Sequence, residues 1–403
     1  MLAGFPLHVQ ERYDRADIRR LNAVSALNQL RVHGPLSRAQ IAERLGLTRA
    51  TVSNIVADLI SVSLVKESEF EAGGVGRRGM LLELDSDCGS MIAVELDIDR
   101  VQVVLANVGM DFLWRGEAEL KAPISSEDGV QRALELVEHA LVEADKLGLK
   151  CLGICVAWAG LVSRSTGELA YGPISGWEGV ALKVAWEARF KVPVYVENEA
   201  HAGAIAAHHL GEPKRVEDLI YLSLGVGLSA GVYVDGGLLR GRDGFAGQVG
   251  HSPFVPEGEL CGCGRRGCWV TEVGASGVLR KLDRAGVEVS QKEGLLWIDE
   301  ICRLAETGDA RVLAVLGEEG RQIGQGLARL VQVFNPSQVV LGGHLRKLIA
   351  LCETQIRETL EEAVLAPMGK ALTVSVSVSG EDQLRGCLAT VFDAVMRNPE
   401  LAE

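Results

Sequence analysis

The sequence predicts an α/β protein in which an N-terminal winged helix-turn-helix domain is followed by two α/β lobes. Near the N-terminus, a pattern of short helices precedes two strand patterns joined by a glycine-rich loop. Over the rest of the chain, strand hairpins alternate with amphipathic helices, and this alternation occurs twice. A length of 403 residues suits such a division. We place the domains at residues 1–84, 88–200 and 201–403.

Charge and composition favour a cytoplasmic protein that does not contact a membrane. The net charge is −13, but residues 1–84 carry 11 Lys and Arg against 9 Asp and Glu, so this region can approach phosphates. The longest uncharged apolar run, Leu219–Val234, is shorter than a membrane span, and no cationic signal segment begins the chain. The odd count of nine cysteines fits a reducing compartment with buried thiols and a metal site.

The first helix is predicted over Asp17–His33, where apolar residues recur along one face until "HGP" breaks the pattern. Its predicted inward residues are Ile18, Leu21, Val24, Leu27 and Leu30.

The stretch "LSRAQIAERLGLTRATVSNIVADLI" predicts two further helices. Ser37 and Gln40 form a capping box that opens a helix ending at Leu45, and Gly46 begins a tight turn. Thr48 caps the next helix. Two short helices joined by a glycine-containing turn are typical of the helix-turn-helix, whose second helix enters the major groove of DNA. The inward residues of that second helix are predicted to be Val52, Ile55, Val56, Leu59 and Ile60.

The outward side chains of this hairpin have the chemistry to contact DNA. Arg, Asn and Thr can bind base edges in the major groove, and "GGVGRRG" places a basic tip between the two strand patterns that follow. The alternative is an ordinary helical hairpin followed by a solvated loop. The predicted DNA-binding residues are Ser37, Arg38, Thr48, Arg49, Thr51, Ser53, Asn54, Arg77 and Arg78.

The body, residues 90–403, is predicted to form two similar lobes around a cleft. "MIAVELDIDRVQVVLANVGMDFLWRGEAEL" predicts three strands joined by turns, and "VQRALELVEHALVEADKLG" predicts an amphipathic helix. "KVPVYVENEAHAGAIAAHHLG" predicts a strand, a polar turn and an Ala-rich helix. "DLIYLSLGVGLSAGVYVDGG" then predicts a second pair of strands, and "GQGLARLVQVFNPSQVVLGGHL" a helix, a strand and a glycine pair. A cleft between such lobes is a common ligand site.

The stretch "HSPFVPEGELCGCGRRGC" concentrates potential metal ligands in one loop. One imidazole and three thiols form a closed tetrahedral set, which is the usual ligand set of structural zinc. The intervening glycines allow a short loop to wrap one ion. The alternative is a set of buried or redox-active thiols beside a core histidine. The predicted ligands are His251, Cys261, Cys263 and Cys268, with one structural zinc per chain.

These motifs resemble those of the ROK family (repressor, open reading frame, kinase). The likeness covers nearly the whole chain from Asp17 onward, and its most specific elements are "GFAGQVGHSPFVPEGELCGCGRRGCW", "VYVENEAHAGAIAA" and "LSLGVGLSAGVYVDGGLLRG". The resemblance implies a winged helix fused to a sugar-kinase-like body with two actin-like, ribonuclease H-like lobes. It also implies a C-terminal helix packed back on the first lobe.

Kinases of this family carry a "DIGGT" phosphate loop that this chain lacks. The matching positions are Glu95, Leu96, Asp97, Ile98 and Asp99, so both glycines and the threonine are replaced. Extra carboxylates would repel nucleotide phosphates at close range. The second loop keeps Gly225, Gly227 and Gly231, but it has Val226 in place of the usual threonine. We therefore expect no enzymatic activity.

The resemblance also implies a sugar pocket, which is altered here. Asn198 and His251 match the family, while the catalytic Asp of the kinases becomes Glu199. "AGEVGH" becomes "AGQVGH", which introduces Gln248, and "GCWE" becomes "GCWV", which leaves Glu272 as the nearest carboxylate. An unpartnered buried hydroxyl costs about 1–3 kcal/mol. The ligand is therefore a small sugar, another small polar molecule, or absent.

The sequence as a whole predicts a transcriptional repressor of sugar-utilisation genes. It would bind a double-stranded DNA operator as a homodimer or homotetramer, with a small sugar as its effector. A sugar kinase and a ligand-independent DNA-binding regulator are the competing functions.

Overall fold

The computed structural model describes residues 15–70, 79–97, 99–120, 125–173, 175–211, 216–290 and 296–397. The chain divides into two compact units. The head unit consists of Met1–Gly89, Asn107–Gly109 and Phe392–Glu403. The body unit consists of Ser90–Ala106 and Met110–Val391.

The head unit contains three helices and a two-stranded antiparallel sheet. Ser37 caps the second helix in a complete capping box with Gln40, and Thr48 caps the third by accepting a hydrogen bond from the backbone N–H of Thr51. Gly46 ends the second helix at a φ of 65°, a conformation that favours glycine. The predicted helix-turn-helix and the strands of the wing are therefore confirmed. The elements are α1 (Arg15–His33), α2 (Arg38–Leu45), α3 (Arg49–Ser61), β1 (Val65–Phe70) and β2 (Gly79–Leu84).

The head core differs from the sequence prediction on α1. Ile18 and Leu21 are each 50% exposed, whereas Leu27 and Leu30 are buried as predicted. The prediction gave weight only to large apolar residues, but the inward face of α1 is completed by two alanines, Ala23 and Ala26. Small side chains let a helix approach its neighbours closely, so they can occupy a core face that a search for large residues misses. The remaining core residues include Leu36, Ile41, Val52, Ile55, Val56, Leu59 and Leu82.

The first part of the body unit contains the first lobe, which is built on a five-stranded sheet and helices α4 and α5, and helix α6, which packs against the sheet of the second lobe. Its elements are β3 (Ser90–Leu96), β4 (Arg100–Asn107), β5 (Phe112–Glu119), α4 (Ser126–Lys146), β6 (Cys151–Trp158), β7 (Leu161–Val162), β8 (Leu169–Tyr171), β9 (Glu178–Val180), α5 (Lys183–Phe190), β10 (Val194–Asn198) and α6 (Glu199–Leu210). The short strands β7, β8 and β9 form a separate antiparallel sheet.

The rest of the body unit begins with the next long strand and forms the second lobe, except that the last helix lies against strands β3 and β6 of the first lobe and continues into the head unit at Phe392. Its elements are β11 (Leu219–Leu224), β12 (Leu228–Val234), β13 (Gly237–Leu238), α7 (Trp269–Val273), α8 (Ala275–Arg284), α9 (Leu296–Glu306), α10 (Ala310–Phe334), β14 (Gln338–Gly342), α11 (Arg346–Leu351), α12 (Glu353–Ala363), α13 (Ala366–Ala371), β15 (Thr373–Val376) and α14 (Asp382–Arg397). A 3-10 turn over Val249–His251 precedes α7.

The two large sheets repeat one arrangement. The first has the order β10-β6-β3-β4-β5, and the second has β15-β14-β11-β12-β13. In each sheet three strands run parallel, and an antiparallel hairpin lies beside them. Each lobe also has its own hydrophobic core. This repetition confirms the predicted pair of similar α/β lobes. Within the described ranges, every helix is too short or too polar to cross a bilayer.

Candidate functional site

The outward face of α3 presents polar side chains at the surface of the head unit. Arg49, Ser53 and Asn54 are exposed, and Thr48 is exposed at the N-terminal cap. Thr51 is half-buried, and its hydroxyl lies 2.9 Å from that of Thr48. Arg19 fixes α1 to this helix through two hydrogen bonds to Asp58, of 2.7 and 2.6 Å. The helix therefore has a rigid support, and its exposed face has the side-chain chemistry that binds base edges and phosphates.

The other predicted DNA contacts have different surroundings. The Ser37 hydroxyl accepts from the Gln40 backbone N–H at 3.3 Å in the capping box, and it also donates to Gln40 Oε1 at 3.0 Å. Arg38 pairs with Glu67 of β1 at 2.6 Å. Both side chains therefore already have bonding partners within the head. Arg77 and Arg78 lie outside the described residues.

The second site is the cysteine and histidine cluster after β13, which we call the thiol cluster: His251, Cys261, Cys263 and Cys268. Its four ligand atoms all lie within 4.8 Å of one another. Cys261 Sγ is 3.5 Å from His251 Nδ1, and Cys263 Sγ is 3.7 Å from Cys268 Sγ. All four side chains are buried or half-buried. The structure thus brings together every residue of the predicted metal site.

These distances fit a tetrahedral zinc ion. With Zn–S near 2.3 Å and Zn–N near 2.05 Å, a tetrahedron has edges of about 3.8 Å between sulfurs and about 3.6 Å between sulfur and nitrogen. The observed 3.7 and 3.5 Å agree with those edges. A disulfide would need sulfurs about 2 Å apart. The donor set is therefore arranged for one ion, with no position left for a water molecule.

The electrostatics of the loop favour the ligating protonation states of His251 and Cys263, whereas burial and hydrogen bonds with Cys263 and Cys261 raise the pKa of Cys268 to about 12. Burial, followed by the charge of Arg265, lowers the pKa of His251, so its imidazole is neutral at neutral pH. Burial would raise the pKa of Cys263, but hydrogen bonds from Arg265 and the neighbouring thiols outweigh it and bring the pKa to about 7. Neutral imidazole and thiolate are the forms that bind a metal.

The predicted sugar-binding residues have mixed surroundings. Asn198 is buried and caps α6: its Oδ1 accepts from the N–H groups of Ala200 and His201, and its Nδ2 donates to the carbonyl of Gly160 at 2.9 Å. Its side chain therefore has a structural role in the strand-to-helix connection. Gln248 is half-buried and precedes the 3-10 turn, and its carbonyl accepts from the N–H of His251.

The predicted carboxylates also differ from each other. Glu199 accepts a hydrogen bond of 3.0 Å from the Ser229 hydroxyl, and burial together with the charge of Asp97 raises its pKa to about 7. Glu272 is half-buried on α7, with one oxygen 3.8 Å from Arg280. Val270 is part of the hydrophobic core of the second lobe. Of the residues proposed for the sugar, Glu199 faces a recess.

This recess is small, with a volume of about 20 Å³ that suits about one water molecule, and its lining is charged. Its polar walls are Asp97, Glu199, Ser223, His344 and Gln383, and its floor is the glycine loop 225–227. His344 was not foreseen from the sequence. It lies directly after the "LGG" of Leu341–Gly343, but a lone histidine after a glycine pair carries no signal until the fold places Glu95 and Asp97 beside it.

Two family models match the chain. The ROK family model matches residues 93–392, and the MarR family model matches residues 18–78. The division between them agrees with the division into body and head.

Two relatives and one solved structure match nearly the whole chain, and a second solved structure matches three quarters of it. The xylose repressor of Caldicellulosiruptor bescii is 30% identical over 396 residues, which cover 96% of this chain and 98% of the relative. The Escherichia coli regulator NagC is 30% identical, with 94% of each chain covered. A crystal structure of a ROK family transcriptional regulator, a homolog of E. coli Mlc, matches with a TM-score of 0.80, 24% identity and coverage of 94% and 97%. A ROK family glucokinase from Streptomyces griseus, solved with glucose and AMPPNP, matches 75% of this chain and 99% of its own, with a TM-score of 0.64 and 25% identity.

Proposed function

The chain belongs to the ROK family, and we propose that it is a DNA-binding transcriptional repressor whose body responds to a small sugar. The exposed face of α3 would enter the major groove, and the body would bind the effector. Preferential binding of the effector to one conformation would lower the affinity for the operator by the difference in binding free energy.

The observation that supports this proposal most strongly is the exposed polar face of α3, the second helix of the helix-turn-helix. Arg49, Ser53 and Asn54 are exposed on one helix whose opposite face is buried in the head core. Relatives named as repressors match both the head and the body, whereas the glucokinase matches 75% of the chain. The head is thus the part that separates a regulator from a kinase of the same fold.

DNA binding is tested by selecting fragments from the source genome with the purified protein and measuring affinity by fluorescence anisotropy. Asn54→Ala should weaken the selected site by roughly 10-fold or more and relax the sequence preference, because one base contact contributes about 1–3 kcal/mol. Arg49→Ala should reduce affinity and the dependence on salt. The matched control is Arg132→Ala, an exposed arginine of α4 in the body. Failure to select any fragment at low salt would refute the proposal.

The effector is proposed to be a pentose, a hexose or an amino sugar, since the named relatives include a xylose repressor and N-acetylglucosamine repressors. A thermal-shift screen with xylose, glucose, N-acetylglucosamine and ATP would identify it. A shift with one sugar, together with release of DNA at the same concentration, supports the proposal. No shift in melting temperature with any sugar favours a ligand-independent regulator. A shift with ATP, followed by phosphorylation of a sugar, favours a kinase.

The thiol cluster is proposed to hold one structural zinc ion, which would fix the loop from residue 251 to residue 268. The agreement of its sulfur and nitrogen distances with a tetrahedral site supports this assignment. The ion would supply folding free energy and no reactive position. Elemental analysis of protein purified without added metal should find about one zinc per chain, and Cys268→Ser should lose it.

We further propose a homodimer or homotetramer in the cytoplasm. A symmetric oligomer places two recognition helices in successive major grooves, which matches a palindromic operator. Sedimentation of the full chain with and without the selected DNA tests the assembly state.

A further inference from the structure

His344 lies between two carboxylates, each of which faces a different nitrogen of its ring. Nε2 is 3.4 Å from Glu95 Oε1, and Nδ1 is 3.2 Å from Asp97 Oδ2. An ionised carboxylate can only accept a hydrogen bond, and a neutral imidazole has only one N–H to donate. Satisfying both contacts therefore requires a proton on each nitrogen.

The three side chains come from different lobes. Glu95 is on β3 of the first sheet, and Asp97 directly follows that strand. His344 follows β14 of the second sheet. The side-chain exposures of His344, Glu95 and Asp97 are 12%, 7% and 13%. At such low exposure a charge without a partner is costly, so the pairing of opposite charges matters more here than at the surface.

Both ends of this contact are held rigidly. Glu95 lies within β3, whose register pairs it with Ala157 of β6. Gly343 has a φ of +85°, and a Cβ there would lie 2.4 Å from the carbonyl oxygen of Leu224. That same carbonyl accepts a hydrogen bond of 2.9 Å from the N–H of Leu345. The histidine loop is therefore fixed to β11, and His344 cannot move far unless the second lobe moves with it.

We propose that His344, protonated on both nitrogens between Glu95 and Asp97, is an electrostatic cross-link that holds the two lobes of the body together beside Glu199. Loss of a ring proton removes one of the two contacts and frees the lobes to separate there. The inference concerns the body alone, and it stands whether or not the head binds DNA.

The surrounding charges support a persistent imidazolium. Burial would lower the pKa of His344, and Arg100 opposes the charge, but the hydrogen bond to Glu95 and the charges of Asp97 and Glu95 raise the pKa to about 9. From the other packed elements, Arg115 of β5 acts on Glu95, Glu199 faces the cluster from α6, and α14 contributes the neutral Gln383. The neighbouring Asp382 accepts a hydrogen bond of 2.8 Å from Tyr221.

A divalent cation is a poor fit for these three residues, although they lie within 4.8 Å of one another. A metal ion binds one ring nitrogen and gathers the other ligands around the same point. Here the carboxylates approach opposite nitrogens of the ring. The cluster is centred on the imidazole and not on an empty space.

The test is an imidazole nitrogen titration of the full chain labelled with ¹⁵N-histidine, with the His344 signals assigned from His344→Gln. Both nitrogens should remain protonated from pH 6 to 8, with a midpoint near pH 9. Glu95→Gln should lower that midpoint. A ring that is neutral at pH 7.5, or Mn²⁺ broadening of the His344 signals at micromolar concentration, would overturn the proposal.

Stability and exchange measurements report the cross-link itself. His344→Gln should lower the melting temperature by roughly 5 °C at pH 7, because it removes the cation that lies between the buried Glu95 and the half-buried Asp97. It should also speed amide hydrogen exchange in both β3 and β14. The control is His139→Gln, an exposed histidine of α4. Unchanged exchange in either strand would show that His344 does not link the lobes. If His344→Gln fails to fold, Asp97→Asn serves for the same measurement, because it removes one contact and keeps the ring.

Discussion

Two clusters in the body unit each contain one histidine, and they use it in opposite ways. In the thiol cluster His251 lies with three sulfurs around a single point, and burial lowers its pKa. In the cluster of Glu95, Asp97 and His344, the histidine is itself the centre, and its pKa rises to about 9. The first histidine is suited to donate a lone pair to a metal. The second is suited to donate two N–H hydrogen bonds to carboxylates.

The neighbours of each ring explain this difference. Burial and the charge of the nearby Arg265 favour a neutral ring at His251. Two carboxylates on opposite sides favour a charged ring at His344. The same type of side chain thus lies among three sulfurs within one lobe at one site and between carboxylates of the other lobe at the second.

The largest expected effect is a loss of bound metal, which should follow from changes in the thiol cluster and not from changes at His344. Cys268→Ser should release the ion and lower the melting temperature by roughly 10 °C, since loss of a structural metal is among the most destabilising changes. Elemental analysis and thermal unfolding check this together. Cys302→Ser, which changes a half-buried thiol of α9 outside the cluster, is the control and should keep the zinc. His344→Gln should also keep it. Loss of zinc from the His344 variant would break the distinction between the clusters.

The second effect compares two glycines of similar backbone conformation. Gly264 of the thiol loop has a φ of +83°, and a Cβ there would meet open space. Gly343 has a φ of +85°, but a Cβ there would lie 2.4 Å from the carbonyl of Leu224. Gly264→Ala should therefore cost about 1 kcal/mol, for backbone strain alone. Gly343→Ala should cost about 3 kcal/mol, because strain and steric overlap add.

Thermal unfolding of both glycine variants measures these costs. The Gly343 variant should also lower the pKa of His344, because the displaced loop lengthens its contacts with the carboxylates. Equal destabilisation by the two substitutions would show that the His344 loop is not fixed by its contact with β11.

The third effect is a pair of opposite responses to pH. The folded-state pKa of His344, about 9, exceeds its ordinary value of 6.5. Its contribution to stability is therefore fully present below pH 6.5 and is lost as the pH rises through about 9. At the thiol cluster, acid protonates the ligands and displaces the metal. Zinc content should fall on acidification, whereas the difference in melting temperature between the wild type and His344→Gln should shrink on alkalinisation. If the zinc content and the difference in melting temperature were both lost on acidification, or both on alkalinisation, the two histidines would not have separate roles.

The sequence predicted the fold and the thiol cluster well because both depend on local patterns. Cys261, Cys263 and Cys268 fall within eight consecutive residues, and spacing alone indicates that they can share an ion. The repeated pattern of strand hairpins likewise predicts two lobes, and the two large sheets have the same arrangement. The carboxylate cluster could not be predicted in the same way. Glu95 and His344 are far apart in sequence, and only the closure of one lobe on the other brings them together.

Tertiary packing also decides the face of α1 and the contacts of Asn198. The inward face of α1 includes Ala23 and Ala26, so Ile18 and Leu21, which were expected to be inward, are exposed. For Asn198 a sugar ligand and a strand-to-helix cap were both open; its side chain caps α6 through two N–H groups and donates to the Gly160 carbonyl, and contact with a sugar stays a prediction. The residue types were recognisable in the sequence, while their partners were set by neighbouring elements.

The smallest expected effect concerns Glu199, which lines the same recess as His344. Its pKa of about 7 lies above the ordinary value of 4.5, because of burial and the charge of Asp97. Stability associated with the protonated form is fully present below pH 4.5 and is lost as the pH rises through about 7. Glu199→Gln removes this penalty, so it should raise the melting temperature by about 2 °C at pH 8 and change it little at pH 5.

The control for this measurement is Glu117→Gln, an exposed glutamate of β5, which should leave the melting temperature unchanged at both pH values. The imidazolium of His344 lowers the pKa of Glu199. In the His344→Gln background the folded-state pKa of this carboxyl should therefore lie even further above its ordinary value, and Glu199→Gln should stabilise more at pH 8 than it does in the wild type. An equal gain in both backgrounds would mean that Glu199 does not sense the charge on His344, and that the recess is not electrostatically coupled to the link between the lobes.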